Sequence, residues 1–221
     1  MAFDRIASIF VPALCVACQG PAADIPANKG DRYSAGACRN LLCRSCLLEL
    51  EEGGPICGDP PPGIDGIVSC AAHEGVARSV LAAFKFRRLY EVGLMISSRM
   101  AFDLGEGAMH SLVVPVPASP VRLRLRGFDS AEDLSMHLFR MLGGAHISGA
   151  IRRVGTGRQR GRGRAGRLGS PPDIRLSGAV PKKVLLVDDV VTTGATLSAC
   201  AAVLRSGGAT SVSAVTFTRR L

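Results

Sequence analysis

Short apolar runs alternate with longer amphipathic stretches from Ile64 to the end of the chain. The apolar runs have the length and β-branched content of buried strands. Strands are predicted over residues 64–71, 111–117, 183–188 and 212–218. Helices are predicted over residues 76–100 (broken near 86–89), 130–141 and 196–205. Strands that alternate with helices are typical of βαβ units, so we predict an α/β fold with a parallel sheet and helices on both faces.

The first 63 residues differ in composition from the rest. They contain six of the eight cysteines and several Pro and Gly residues, and they end in Pro60-Pro61-Pro62-Gly63. Such a stretch is typical of a small, loop-rich module followed by a linker. We therefore predict two domains, a cysteine-rich module over 1–63 and the α/β domain over 64–221.

Four of these cysteines form two close pairs. Two residues separate Cys15 from Cys18, and two separate Cys43 from Cys46. Each pair can present two thiolates to one tetrahedral ion, so the spacing predicts a structural zinc ribbon with these four ligands. The alternative is a set of reduced, buried cysteines, and Cys38 is a possible substitute ligand.

The start of the chain indicates the compartment. Asp4 comes early, and no basic start leads into a long apolar stretch, so we predict a short amphipathic helix and not a signal peptide. The apolar runs are too short to cross a bilayer, so we expect no membrane insertion. We expect a cytoplasmic protein whose cysteines stay reduced, with Cys70 and Cys200 as buried structural residues.

Positive charge is concentrated in one part of the chain. The formal net charge is +9, and residues 119–167 contain eleven arginines against three acids. Such an imbalance favours an anionic partner, either a phosphate-bearing substrate or a nucleic acid. Within this region residues 152–167, RRVGTGRQRGRGRAGR, contain no aromatic and no acidic side chain, and a stretch of this kind cannot bury a core.

Residues 184–196, VLLVDDVVTTGAT, carry the strongest functional signal. The apolar run predicts an interior strand that brings Asp188 and Asp189 to the carboxyl edge of the sheet, where ligands of open α/β sheets bind. Adjacent acids there are costly unless they bind hydroxyls or a cation. The Thr-Thr-Gly-Ala-Thr turn offers hydroxyls and backbone N–H groups at a helix N-terminus, which favours a phosphate. The alternative is a buried strand that ends in a Thr-capped helix beside an incidental acidic pair.

This segment resembles the signature of type I phosphoribosyltransferases that binds phosphoribosyl pyrophosphate (PRPP). The resemblance implies that Asp188 and Asp189 are the catalytic pair and bind the ribose hydroxyls, with Mg²⁺ accompanying PRPP. It also implies that a loop holds the 5′-phosphate. That loop consists of Thr192, Thr193, Gly194, Ala195 and Thr196.

Residues 115–134, PVPASPVRLRLRGFDSAEDL, resemble a segment of the ComF family, whose members are competence-associated and phosphoribosyltransferase-like. Residues 126–128 match the family's Arg-Gly-Phe, while Asp129 and Ser130 replace the usual Asn-Gln. Phe84-Lys85-Phe86 is similar to the family's Lys-aromatic element. Relatives often carry a second Cys-x2-Cys knuckle, but here Pro60 occupies the position of its second cysteine, so we predict one zinc.

The resemblance also implies that the loop after the strand predicted at 111–117 holds pyrophosphate. Pro117, Ala118 and Ser119 can supply backbone and hydroxyl groups, and Arg122 can bind phosphate through two parallel hydrogen bonds. The alternative is a Pro-rich turn with solvated arginines.

Three interpretations of residues 152–167 stay open: a lid over the site, a contact to single-stranded DNA, or a solvated loop. The ComF resemblance implies a PRPP-binding protein linked to competence and DNA uptake. If catalytic, it would transfer the phosphoribosyl group of PRPP. The alternatives are a noncatalytic PRPP sensor that binds single-stranded DNA alongside a DNA-uptake helicase, and a nucleotide-salvage phosphoribosyltransferase.

Overall fold

Five parallel strands form the central sheet. The structure, a computed structural model, describes residues 13–22, 40–56, 58–87, 89–108, 112–154 and 172–221. The strands of the sheet are β1 (Gly66–Ala72), β2 (Leu112–Pro115), β3 (Ala145–His146), β6 (Lys183–Val191) and β7 (Ser211–Arg219). Their spatial order is β1-β7-β6-β2-β3, and every neighbouring pair is parallel. The predicted parallel sheet is thus confirmed.

Helices and a small hairpin complete the described chain. The helices are α1 (Arg44–Glu52), α2 (Gly75–Arg87), α3 (Tyr90–Leu104), α4 (Pro120–Arg126), α5 (Ser130–Leu142) and α6 (Ala195–Ser206), with a 3-10 turn at Glu106–Ala108. The strands β4 (Ile151–Arg153) and β5 (Ile174–Leu176) form a separate antiparallel pair. The break predicted near residue 88 separates α2 from α3. The described helices include none with both the length and the apolar character needed to cross a bilayer.

Some predictions fall on residues that the structure does not describe. These are the N-terminal helix, Cys38, Cys57 and residues 155–167 of the Arg/Gly-rich segment.

Strand β6 runs further than its sequence predicts. The apolar pattern ends it at Asp188, but pairing with β7 continues through Val190 and Val191. The ladder continues because Thr218 and Arg219 still provide backbone partners on β7. Asp188 and Asp189 therefore lie inside a paired strand, with their directions fixed by its pleat.

The sheet is covered on both faces, as predicted. Successive side chains of a strand point to opposite faces. Leu185 and Val187 belong to the apolar cluster formed with α2, α3 and α5, whereas Val184 and Leu186 belong to the cluster formed with α6 and the β4–β5 hairpin. Because β6 is central and buried on both faces, its sequence is continuously apolar until the two acids.

The cysteine-rich module shares its core with the sheet domain. Leu42, Leu47 and Leu50 of the module are buried in the same cluster as α2 and α3. Arg99 of α3, whose side chain is fully buried, connects the two parts. Its guanidinium donates to the carbonyl oxygens of Leu50 (2.9 Å), Gly53 (2.9 Å) and Cys70 (3.0 Å), and it pairs with Asp103 at 2.6 Å. The planar fork of arginine suits this many partners, whereas a lysine ammonium has only three donors.

We expect Arg99→Met to lower the free energy of unfolding by about 3–5 kcal/mol, because it leaves Asp103 and three carbonyls without their buried partner. Arg99→Lys should recover only part of the loss. Urea unfolding measures both, with Arg78→Met on the exposed side of α2 as the control. A loss no larger than that of the control would contradict a connecting role for Arg99.

Candidate functional site

A polar cleft of about 360 Å³, its open mouth included, lies at the carboxyl edge of the sheet above β2 and β6. The carboxyl ends of parallel strands meet at one edge, and ligands bind there. Seven of the predicted site residues line the cleft: Pro117, Ala118, Ser119, Arg122, Asp188, Asp189 and Thr196. The structure therefore brings the predicted acids, the Pro-Ala-Ser loop and one residue of the Thr/Gly turn to a single cleft.

The two acids point to opposite faces of the sheet. Asp189 is 4% exposed and faces α2 and α5. One of its oxygens lies 2.7 Å from the Lys85 ammonium, and the other accepts from the Ser130 hydroxyl, with an Arg126 nitrogen at 3.9 Å. Asp188 lies on the face that carries α6 and accepts the backbone N–H of Asp189 at 2.8 Å. Two adjacent residues thus have unlike surroundings.

The surroundings of Asp188 favour its neutral form. Burial is the main factor that raises the pKa of Asp188, to about 8, and the negative charge of Asp189 adds to the effect. The N–H of Asp189 and the positive charges of Lys85 and Arg122 oppose the rise without cancelling it. A ligand that donates hydrogen bonds to Asp188 would stabilise the charged form of its carboxyl group.

The Thr/Gly turn lies between β6 and α6. Gly194 has φ of 73°, and a Cβ placed there would lie 2.5 Å from Cγ of Pro61, so both the backbone and the packing require glycine. Thr192, Thr193 and Ala195 are exposed, and Thr196 in the first turn of α6 faces the cleft. Of the five residues of the turn, Thr196 alone lines the cleft; it lies at the N-terminus of α6, and N–H groups at a helix N-terminus favour an anion.

The loop after β2 continues into a short helix that the sequence analysis did not predict. The Ser119 hydroxyl accepts the N–H of Arg122 at 3.3 Å, Pro120 occupies the first turn of α4, and Gly127 ends the helix with φ of 70°. The sequence analysis gave a Pro-rich turn as the alternative for this segment, but residues 120–126 form a helix capped by Ser119. The helix places Arg122 and Arg126 over the cleft.

Five residues with polar side chains in or beside the cleft were missing from the predicted site. They are Lys85, Arg126, Asp129, Ser130 and Arg153. Asp129 caps α5 by accepting the N–H of Ala131 at 3.0 Å, and its second oxygen accepts the N–H of Ala118 at 3.0 Å. An acid followed by helix-forming residues was a legible capping signal. No sequence signal links Lys85 to Asp189, because their contact joins elements far apart in the chain.

Arg122 and Arg153 are two of the three arginines that line the cleft. Burial lowers the pKa of Arg153, and the charge of Arg122 lowers it further. Like charges that face one another across a cleft are costly unless an anion lies between them. The pair therefore makes the cleft suited to a phosphate or pyrophosphate.

The four predicted metal ligands form a second site. The Sγ atoms of Cys15, Cys18, Cys43 and Cys46 lie within 4.8 Å of one another. A tetrahedral zinc with Zn–S bonds of about 2.3 Å places its sulfurs roughly 3.8 Å apart. The Cys18–Cys43 separation of 3.7 Å matches that value. The donor set therefore fits one structural zinc ion.

Local backbone geometry aligns the two cysteine pairs. The N–H of Cys15 donates to the Gly20 carbonyl at 2.7 Å, and Gln19 closes the turn with φ of 65°. Cys43 precedes α1, and Cys46 lies in its first turn. The Ser45 hydroxyl and the Cys46 N–H lower the pKa of the Cys43 thiol to about 6, which favours the thiolate that binds metal.

Comparisons with known proteins agree with this geometry. The family model of the phosphoribosyl transferase domain matches residues 168–221, which contain β6, the Thr/Gly turn, α6 and β7. Competence protein F of Haemophilus influenzae is 29% identical over 182 residues, covering 75% of this chain and 79% of the relative. Competence protein ComFC of Streptococcus pneumoniae is 27% identical over 179 residues, covering 80% and 74%. Over about three quarters of its length the chain is thus similar to these two competence proteins.

The comparison with solved structures gives one further similarity. Orotate phosphoribosyltransferase from Aeropyrum pernix superimposes with a TM-score of 0.38 and 21% sequence identity, covering 77% of this chain and 78% of that one.

Asp188 should make the stability of this protein depend on pH. Its pKa is about 8 in the folded protein and about 4 in an unfolded chain. Between these pH values the folded state holds a proton that the unfolded chain has lost, so stability falls as pH rises. We expect Asp188→Asn to remove this slope. In the absence of ligand, the melting temperature of the variant should then rise relative to that of wild type between about pH 5 and pH 8. Parallel pH curves for wild type and variant would contradict the assignment, with Asp173→Asn as the exposed control.

We expect purified protein to contain about one zinc ion per chain by elemental analysis. Cys18→Ser should lose most of the zinc and lower the melting temperature. Because Cys18 is exposed, that loss would not arise from core packing. Cys200→Ala, at a buried cysteine outside the cluster, should keep the metal. A wild-type zinc content near zero or near two would overturn the ligand set.

Proposed function

We propose that this protein binds PRPP in the polar cleft, with Mg²⁺ accompanying the ligand. The observation that carries the proposal is the meeting of three elements at one sheet edge. These are the acids of β6, the N-terminus of α6, and the 117–119 loop with Arg122. Each suits a different part of PRPP: the ribose diol, the 5′-phosphate and the pyrophosphate.

The 5′-phosphate would bind at residues 192–196. The N–H groups of the first turn of α6 and the hydroxyls of Thr192, Thr193 and Thr196 are complementary to a phosphate dianion. Gly194 lets the backbone approach the ligand. Its packing against Pro61 supports the turn from behind.

The pyrophosphate would lie beside α4. Arg122, Arg126 and Arg153 face this end of the cleft, opposite Asp129. Described cleft-lining side chains that could approach a metal carry oxygen donors, with no histidine or cysteine among them, which fits Mg²⁺ and not a softer ion. When bound, Mg²⁺ would offset the charge that builds up on the departing pyrophosphate.

Phosphoribosyl transfer is the finer proposal. In a dissociative transfer the bond from the ribose anomeric carbon to the pyrophosphate oxygen breaks with its electron pair on pyrophosphate, and an acceptor then bonds to that carbon. Arg122 and its neighbours would stabilise the leaving group, and the Thr/Gly turn would hold the ribose phosphate still. Incubation with PRPP, Mg²⁺ and a panel of nucleobases, read as pyrophosphate release, separates an enzyme from a sensor.

A role in competence is proposed from the curated relatives, both of which are named competence proteins. Of the three interpretations open for residues 152–167, both the contact to single-stranded DNA and the lid would fall mostly outside the described residues. The described part, Arg152 and Arg153, ends at the cleft. A helicase partner rests on the ComF resemblance alone.

We expect calorimetry with Mg²⁺ and PRPP to show saturable binding at one site per chain. Gly194→Ala should weaken it about tenfold, because a side chain in the left-handed region costs about 1–2 kcal/mol and would press on Pro61. Gly178→Ala is the matched control, since Gly178 has open space around its Cβ position. Wild-type affinity in Gly194→Ala would remove the turn from the site, and no binding by wild type would refute the proposed function.

A further inference from the structure

Lys85 brings a nearly buried ammonium group under the cleft. It lies in the last turn of α2 and is 9% exposed. A lysine is rarely buried to this extent unless its charge is paired. Its partner is an oxygen of Asp189 at 2.7 Å, itself 4% exposed.

The partners of Asp189 use both of its oxygens. Oδ1 accepts from Lys85, and Oδ2 accepts from the Ser130 hydroxyl. Nη1 of Arg126 lies 3.9 Å from Oδ2. Asp189 also lines the cleft, but these contacts already pair both of its oxygens. A ribose hydroxyl would have to compete with a buried ion pair to bind here.

Asp188 has different surroundings. The hydrogen bonds found among the described residues give its carboxyl group one donor, the N–H of Asp189 at 2.8 Å. Its side chain is half-buried and lines the cleft on the α6 side, where Thr196 also lies. Asp188 therefore retains acceptor capacity toward a ligand in the cleft.

We propose that the two carboxylates have different roles. Asp188 accepts hydrogen bonds from the ribose hydroxyls, whereas Asp189, held by Lys85 and Ser130, fixes the position of the part of β6 that carries Asp188. This assignment rests on the proposed PRPP site and deepens it. Lys85 is then a positioning residue, because it acts on the ligand through Asp189 and not by contact.

Asp189 fixes the position of Asp188 through the peptide group that joins the two residues. Asp189 ties β6 to the end of α2 through Lys85 and to the start of α5 through Ser130. Its own N–H donates to Asp188 and fixes that carboxyl. If the Lys85 pair were broken, Asp189 would be left as a buried unpaired charge, and the 188–189 peptide would move to relieve it.

Calorimetry with Mg²⁺–PRPP on single and double variants tests this division. We expect Asp188→Asn to weaken binding about tenfold or more, because it replaces an acceptor oxygen by an amide donor. We expect Asp189→Asn to weaken it less than about threefold, because the amide oxygen can still accept from the buried Lys85 ammonium. Lys85→Met should weaken binding about tenfold, and Lys85→Arg should restore much of it. The double variant Lys85→Met/Asp189→Asn should bind nearly as well as Asp189→Asn, because both members of the pair are then neutral. Lys183→Met, at the exposed opposite end of β6, is the control.

The outcomes separate this assignment from the proposed function. No binding by wild type refutes both. Wild-type binding with equal losses in Asp188→Asn and Asp189→Asn, or a double variant no better than Lys85→Met, refutes the division of tasks and leaves the PRPP site standing. If thermal melting shows that Lys85→Met does not fold, the comparison of the two single Asp→Asn variants decides alone.

Discussion

The ion pair between Lys85 and Asp189 is the constraint on which the cleft depends. A carboxylate at the end of a central strand cannot be solvated as it would be in water, and it is tolerated only with a paired cation and a hydrogen-bond donor. The strand, α2 and α5 supply these groups from three places in the chain. The pair thereby fixes the positions of two helices relative to β6. The same strand then turns into the loop that we assign to phosphate.

Much of the architecture could be predicted from the sequence, because it follows from local pattern. The apolar run of β6 requires burial on both faces, and the two Cys-x2-Cys pairs have a spacing that suits one tetrahedral ion. The break between α2 and α3 and the start of α6 after Gly194 also have local signals. The loop containing Ser119 could be predicted at the same sheet edge as the acids, because the carboxyl ends of parallel strands meet there. In the structure this loop lines the cleft.

The remaining features depend on contacts between distant residues. The sequence shows two adjacent acids, but only the continued pairing of β6 with β7 makes Asp188 and Asp189 face opposite sides. Likewise, Lys85 precedes its partner by 104 positions, and no pattern links them. Helix α4 was missed for another reason: it has no buried residue, so it lacks the apolar stripe on which helix prediction relies.

The cysteine-rich module and the cleft are parts of one packed structure. Arg99 joins α1 to the sheet domain, and the linker after the module places Pro61 against Gly194. A structural zinc in the module would therefore stabilise the surroundings of the cleft without touching a ligand. We interpret the module as support for the site and not as a second reactive centre.

A crystal structure with Mg²⁺ and PRPP bound would test the account most directly. We expect the 5′-phosphate on the backbone N–H groups of residues 192–196 and a ribose hydroxyl within hydrogen-bonding distance of Asp188. The Lys85–Asp189 pair should remain closed. A ligand held by Asp189 with Lys85 turned toward its phosphates, or bound away from this sheet edge, would contradict it.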